Sequence, residues 1–284
     1  MTQLNCLTVL GCGTSTGVPI VGCSCKVCRS RNPKNRRLRA SVWVQTQGKS
    51  LLIDTATDLR EQALRHRIFH VDAVLYTHPH ADHVGGIDEL RTYNYLQKCD
   101  LPIYGNRWTI DELTTRFSYI FRPPQVHKVP KVIEGGGIPQ LIPHLIDTRA
   151  GCPETLDIAG VRVIPISVSH GSQECLGYRF DSVAYITDCS YIPPSSLDRL
   201  TGLSVLVLDC LRLEKHGTHF NLDQALETVR LLRPKKAILT HLGHDFDYQP
   251  WVRKLGRECK GSTQVTLAYD GLKVRWKKAP GPEA

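Results

Sequence analysis

The chain has 284 residues, 41% of them hydrophobic, which is enough apolar material for a substantial core and excludes a disordered or fibrous chain. Its formal charge of +9 would suit a polyanion. Outside Arg29 to Arg39 and Lys277-Lys278, however, the basic residues are scattered, and no aromatic-basic repeat interleaves them. Small phosphorylated substrates fit this balance as well as nucleic acid does, and nucleic acid is the less favoured partner. The eleven cysteines are an odd number, and no charged and apolar leader follows Met1, so a reducing, cytoplasmic compartment is expected. In that setting the cysteines read as metal ligands or small apolar core residues. No apolar run approaches the roughly 20 residues that span a bilayer, so no membrane partner is expected.

In chain order, Leu4 to Leu10 reads as a strand, and it runs into a glycine-rich loop, Gly11-Cys12-Gly13-Thr14-Ser15-Thr16-Gly17. Ser41 to Gln45 and Ser50 to Ile53 form a hairpin around Gln47-Gly48 and end at Asp54, and Asp58 to Arg67 has the polar-apolar mix of a surface helix. A strand at Ala73-Val74-Leu75-Tyr76 precedes the metal motif, and a helix is expected from Val84 to about Leu96. Between Lys98 and Asp147, prolines and the run Gly135-Gly136-Gly137 break every pattern except a helix near Trp108 to Phe121. This stretch is expected to be a lid-like insertion at about 98–147. Strands resume at Val161 to Val168, Leu176 to Phe180, Val183 to Thr187 and Val205 to Leu208. A helix (Leu222 to Leu232), a strand (Ala237 to Leu239) and closing strands near Val265 and Val274 follow, as a second β-rich half. Candidate ligands are spread from residue 78 to residue 244, so one domain over 1–284 is expected.

His78-Pro79-His80-Ala81-Asp82-His83 places four metal-ligand types in six residues after an apolar strand. Alternate side chains of an extended segment share a face, so His78 and His80 can grip one ion while Asp82 and His83, past a turn, reach a second. Two such ions need about seven nitrogen and oxygen ligands. His170, Asp188 and His241 are each the first ligand type after an apolar run, and together they point to one shared strand-end site. Separately, Cys23-Ser24-Cys25-Lys26-Val27-Cys28 concentrates three thiols as in a tetrahedral zinc site. His244 is the leading fourth ligand and Cys12 the rival, with a disulfide as the alternative chemistry.

The order Asp54, His78-x-His80-x-Asp82-His83, His170, Asp188, His241 resembles the metallo-β-lactamase superfamily over nearly the whole chain. The resemblance implies a four-layer αββα sandwich. It also implies His78, His80 and His170 on one ion, Asp82, His83 and His241 on the other, Asp188 bridging both, and Asp54 behind the ligands. With an aspartate bridge, β-lactam hydrolysis is not the expected activity. Two ions about 3.5–4 Å apart lower the pKa of a shared water, so the expected nucleophile is a metal-bridging hydroxide. His219, in His216-Gly217-Thr218-His219-Phe220-Asn221-Leu222, is left without a metal role and is expected to assist catalysis by donating to the transition-state oxyanion or the leaving group; the alternative is a loop histidine before a helix.

More narrowly, Gly13-Thr14-Ser15-Thr16-Gly17-Val18-Pro19, Gly22-Cys23-x-Cys25-x2-Cys28, His219-x2-Leu222 and Thr240-His241-x2-His244-x-Phe246-Asp247 resemble the cyclic phosphodiesterase of bacterial phosphonate breakdown. That resemblance implies opening of ribose 1,2-cyclic phosphates or 2′,3′-cyclic nucleotides, a manganese or zinc catalytic pair, a structural zinc and a homodimer. The chain departs from the pattern in its longer 98–147 segment and its basic balance. The alternatives are a transfer-RNA 3′-processing endoribonuclease and a non-enzymatic accessory protein of cofactor biosynthesis, the latter disfavoured by the full catalytic ligand set.

Overall fold

The hairpin at Gln47-Gly48 starts the first of two sheets: both turn residues have positive φ, 52° and 78°, and the two-residue loop sets the register Thr46↔Lys49. The computed structural model describes residues 5–121, 137–149, 154–259 and 263–277. The first half comprises β1 (Asn5–Gly11), β2 (Ser41–Thr46), β3 (Lys49–Ile53), α1 (Leu59–His66), β4 (Ala73–Leu75), α2 (Ala81–Val84), α3 (Leu90–Gln97), β5 (Leu101–Gly105), α4 (Arg107–Arg116), α5 (Ser118–Phe121) and β6 (Leu141–Leu145). The second comprises β7 (Leu156–Ile158), β8 (Val161–His170), β9 (Gln173–Phe180), β10 (Val183–Ile186), α6 (Pro194–Asp198), β11 (Val205–Asp209), α7 (Leu222–Leu232), β12 (Lys236–Thr240), α8 (Tyr248–Glu258), β13 (Gln264–Leu267) and β14 (Lys273–Trp276).

The two sheets have seven strands each, in the orders β14-β1-β2-β3-β4-β5-β6 and β13-β12-β11-β10-β9-β8-β7. Each is antiparallel on one flank and parallel on the other: β3 to β6 run parallel in the first sheet and β10 to β13 in the second. Parallel neighbours require crossovers, and here helices supply them, which places the strand-to-helix loops of both sheets at the carboxyl ends of the strands. Alternating side chains divide the apolar residues among three layers. Leu7, Val44, Leu51, Tyr178, Tyr185 and Val207 pack between the sheets; Leu52, Val74 and Ile103 face Leu59, Leu90 and Leu113 of the first helical layer; and Leu206, Leu208 and Leu239 face Val229 and Leu255 of the second. The expected αββα sandwich is the observed fold.

Three expectations change. The stretch at 98–147 is not wholly an insertion, because Leu101–Gly105 and Leu141–Leu145 are strands of the first sheet; residues 122–136 of it lie outside the described residues. The helix expected from Val84 to Leu96 is split at Gly85-Gly86, where a Cβ on Gly86 would sit 2.2 Å from the Ala56 carbonyl oxygen and the Gly86 amide instead donates to Thr55. The closing strands also separate: β13 completes the second sheet, while β14 crosses back to pair with β1. Among the described residues, no helix is long and apolar enough to cross a membrane.

Candidate metal centre and thiolate cluster

The parallel flanks converge on one site. Asp54 follows β3, the His78–His83 segment follows β4, His170 ends β8, Asp188 follows β10, Asp209 ends β11 and His241 follows β12. Asp54, Asp188 and His241 have φ of 64°, 51° and 57°, the left-handed region that non-glycine residues enter at a cost of about 1–3 kcal/mol each. There the turn aims each side chain off the end of its strand.

Ligand-type atoms of His78, His80 and His170 lie within 4.8 Å of one another, and so do those of Asp82, His83, Asp188 and His241. Asp188 spans the two groups, with one oxygen 3.2 Å from His83 Nε2 and the other 3.6 Å from His78 Nε2 and 3.4 Å from His241 Nε2. Most of the imidazoles turn their second nitrogen to a fixed partner. His83 Nδ1 lies 2.7 Å from Asp54 Oδ2, and His170 Nδ1 donates to the Thr218 carbonyl at 2.8 Å. The Thr77 hydroxyl donates to Asp54 and accepts from His78 Nδ1. Such outer contacts fix ring orientation and tautomer in metal sites, and they leave Nε2 of His78, His83 and His170 for the centre.

Electrostatics agree with a cationic occupant. Burial pushes the His78, His80 and His170 imidazoles below their ordinary range, toward the neutral form that ligates. At His83 burial acts in the same direction, but Asp188, Asp82 and Asp54 overcome it and raise its affinity for a proton. For Asp188 burial favours the protonated acid, and the surrounding His241, His83 and His78 reverse that and hold it ionised. His83 Nε2 and both nitrogens of His241 are buried without a hydrogen bond. Buried polar atoms of this kind need a partner, and neutral nitrogens mixed with carboxylates form the donor set of a divalent metal site.

One functional residue escaped the sequence reading. Asp209 is fully buried with its oxygens 3.6 Å from His241 Nδ1 and 3.4 Å from His219 Nδ1, and Oδ2 accepts the Phe220 amide at 3.0 Å. Its signal was present, since it is the first ligand type after the apolar run Val205 to Leu208, the same rule that singled out Asp188. His219 stacks on His241 with ring centroids 4.8 Å apart and turns Nε2 toward Asp188 at 3.8 Å. Burial opposes charge on His219, yet Asp209 and Asp188 together raise its pKa above the ordinary value.

A second cluster joins Cys23, Cys25, Cys28 and His244. The three sulfurs stand 3.4, 3.6 and 3.6 Å from His244 Nδ1. Tetrahedral zinc with ordinary Zn–S and Zn–N lengths separates sulfur from nitrogen by about 3.5 Å, so the four residues fit that ion. The Cys28 amide donates to Cys25 Sγ and lowers that thiol to about 7, whereas burial pushes Cys28 up to about 11. Cys12, the rival fourth ligand, is fully buried, its backbone N–H donating to Asp270, and it stands outside the cluster.

Residues 49–242 match the family model of the beta-lactamase superfamily domain. The chain belongs to the metallo-β-lactamase superfamily. Within it, the structure resembles a diphosphatase from the PhnP family, with 40% identity, a TM-score of 0.84 and coverage of 97% of this chain and 98% of that one. The narrower resemblance read from the motifs is thereby supported across the whole fold. A curated relative from Porphyromonas gingivalis, named an octanoyltransferase, is 37% identical over 243 residues, which is 85% of this chain but 46% of that protein. The chain thus spans about half the length of that relative. Zinc-bound PqqB from Methylobacterium extorquens shares the fold at TM-score 0.72 and 17% identity. The superfamily is one of metal-dependent hydrolases, and this chain carries the donor sets that such chemistry requires.

Proposed function

We infer that the protein is a binuclear metal-dependent phosphodiesterase that opens small cyclic phosphates of the ribose 1,2-cyclic phosphate or 2′,3′-cyclic nucleotide type. The observation that carries this reading is the pair of adjacent ligand sets, with Asp188 of the second reaching to 3.6 Å from His78 of the first and His219 beside Asp209 and Asp188 at their edge. In it His78, His80 and His170 would hold one ion and Asp82, His83 and His241 the second, with Asp188 within reach of both sets. Manganese or zinc suits the nitrogen and carboxylate donors, and Cys23, Cys25, Cys28 and His244 hold a structural zinc. Two bound divalent ions would supply Lewis acidity toward a phosphoryl oxygen and a water acidic enough to attack at neutral pH.

The residues do the rest. Asp54 and Thr77 keep His83 and His78 in the ligating tautomer. Asp209 Oδ2, 3.4 Å from His219 Nδ1, favours a proton on that nitrogen electrostatically and leaves Nε2–H toward the reacting group. Water adds to phosphorus with loss of one proton to solvent, the ring P–O bond breaks, and the Nε2 proton passes to the departing alkoxide; the ring opens to a monoester and His219 regains a proton from solvent. A five-membered cyclic phosphate keeps its leaving oxygen tethered close to the donor. His80, exposed at the rim, meets Trp108 edge-on at 5.9 Å, where the substrate would enter.

A second reading, hydrolysis of a diphosphate, is favoured by the name of the PhnP-family neighbour. Phosphorus NMR of manganese-loaded protein with ribose cyclic phosphates, 2′,3′-cyclic nucleotides and a nucleoside diphosphate separates the two. Ring opening that fails in His219→Ala supports the first reading. Turnover of the diphosphate alone moves the assignment to the second, and cleavage of precursor tRNA alone would replace both.

A further inference from the structure

Arg37 is a large side chain that ordinary packing does not account for. It is 2% exposed, and among the described residues no carboxylate oxygen lies within ion-pairing distance of it. Its guanidinium donates from Nη1 to the Gly243 carbonyl at 2.8 Å and from Nη2 to the Phe246 carbonyl and to Asn35 Oδ1, while Nε has no partner. Burying a cation satisfied mostly by neutral carbonyls is costly, and although Asp270 and Asp247 offset part of that cost from beyond ion-pairing distance, the hydrogen bonds to the two carbonyls point to a positioning role.

That role follows from what the two carbonyls flank. Gly243 and Phe246 stand on either side of His244, and two residues before Gly243 is His241. Both edges of this segment are pinned to the N-terminal loop: Leu242 N donates to the Cys12 carbonyl, Thr14 N to the Leu242 carbonyl, and Tyr248 N to Asn35 Oδ1. Arg37 is itself fixed by paired backbone bonds with Val18, five residues before Cys23. A Cβ on Gly13 would lie 2.8 Å from the Arg37 carbonyl oxygen, so the loops close on one another without slack. A zinc ion with three thiolates and a neutral imidazole carries a net charge of about −1, and Cys28 is among the groups whose negative charge favours charged Arg37. The loaded cluster would therefore add its negative charge to that of Asp270 and Asp247, which already favour the charged guanidinium.

We propose that Arg37 is a positioning residue that couples the thiolate site to the catalytic centre, locking residues 241–248 so that His244 closes the thiolate tetrahedron while His241 faces the ion shared with Asp82 and His83. The proposal rests on the ligand assignment given above. It makes zinc loading a condition for tight binding of the second catalytic ion, while the first ion, held by His78, His80 and His170, is indifferent to it.

The test is titration of Mn2+ into the metal-depleted, zinc-reconstituted full chain, read by calorimetry and by the exchange-coupled EPR signal of a manganese pair. Wild type should take up two ions. Arg37→Gln should lose zinc to a chromogenic chelator and weaken the second ion at least tenfold, with the first within about twofold and the coupled EPR signal lost at sub-millimolar Mn2+. His244→Ala should give the same pattern, and the double variant should be no worse than the poorer single one. Equal weakening of both ions, or an unchanged second ion after zinc loss, overturns the coupling. If Arg37→Gln does not fold, Arg37→Lys keeps the charge but not the two-carbonyl span, and His244→Ala alone still decides. Wild type that takes up no Mn2+ sinks the site assignment itself, whereas normal uptake with unaffected variants sinks only the role of Arg37.

Discussion

The strand-end histidines and aspartates and the thiolates of the Cys23–Cys28 loop are both sets of ligands within 4.8 Å of one another, yet different forces hold them. At the strand ends, sheet register fixes the backbone and Asp54, Thr77 and the Thr218 carbonyl fix the rings of His83, His78 and His170, so much of the geometry exists before any ion arrives. Around Cys23 to Cys28 the described structure contains no strand and only short turns, and the small cluster beneath it is Val18, Val27 and Cys28 with Ile20, Cys23 and Cys25. The difference teaches that the first site is largely preorganised by the fold, whereas the second would contribute folding energy on being filled.

The sharpest way to break this contrast is Asp188→Ala, which on the proposed assignment would remove a ligand from both catalytic ions at once. Turnover should fall by at least ~10³-fold and catalytic metal content by about half, with the far-ultraviolet spectrum unchanged; full catalytic metal content would refute the bridge. Next is His219→Ala, where kcat should drop ~10²–10⁴-fold with both ions retained, and Asp209→Asn, where a ~10–100-fold loss should appear together with weaker binding of the His241-side ion. Had Asp209 acted on His219 alone, metal affinity would stay constant. On the thiolate side, His244→Ala should lower the melting temperature on the order of 10 °C and eliminate chelator-resistant zinc, with direct effects on chemistry smaller than those of Asp188 or His219.

The smallest effect is a pH dependence where Asp270 meets the backbone of the N-terminal loop at Cys12 and Leu38. Asp270, with a side chain 5% exposed, accepts the Cys12 and Leu38 amides, and burial pushes it up from 3.8 to about 6. A raised acid binds its proton more tightly in the folded chain. Its stabilising contribution is therefore complete below about pH 4 and lost as pH rises through 6, ~3 kcal/mol in all. Whatever the offset between the two proteins, the stability of Asp270→Asn relative to wild type should rise by ~3 kcal/mol from pH 4 to pH 7 in urea melts, and a flat difference would show that Asp270 titrates normally.

Legibility in the sequence followed the same physical division. Ligands that end apolar strands announce themselves, because burial demands an apolar run and a polar residue at its end needs a reason; His78, His170, Asp188 and His241 were visible on that ground, and Asp209 obeyed the rule unnoticed. Strands β5 and β6 were hidden by Pro102 and Pro143. The first lies near a strand start and the second in an edge strand, the places where a missing N–H does little harm. Helix α8 was masked by Pro250, which falls in its first turn, where the amide has no helical partner. The return of β14 to the first sheet left no local trace, since strand pairing across the whole chain is a tertiary choice. Arg37 was legible only as one more positive charge.

The left-handed backbone at Asp54, Asp188 and His241 places stability and function under opposed selection. Glycine and asparagine relax such conformations, so a variant library sorted only for thermal endurance in metal-free buffer should be drawn toward them at these positions. His241 is the clearest case, buried and with neither ring nitrogen hydrogen-bonded. Sorting the same library with catalytic metal present should bring the histidine back, so the residues that least suit the bare fold would mark where its chemistry is done.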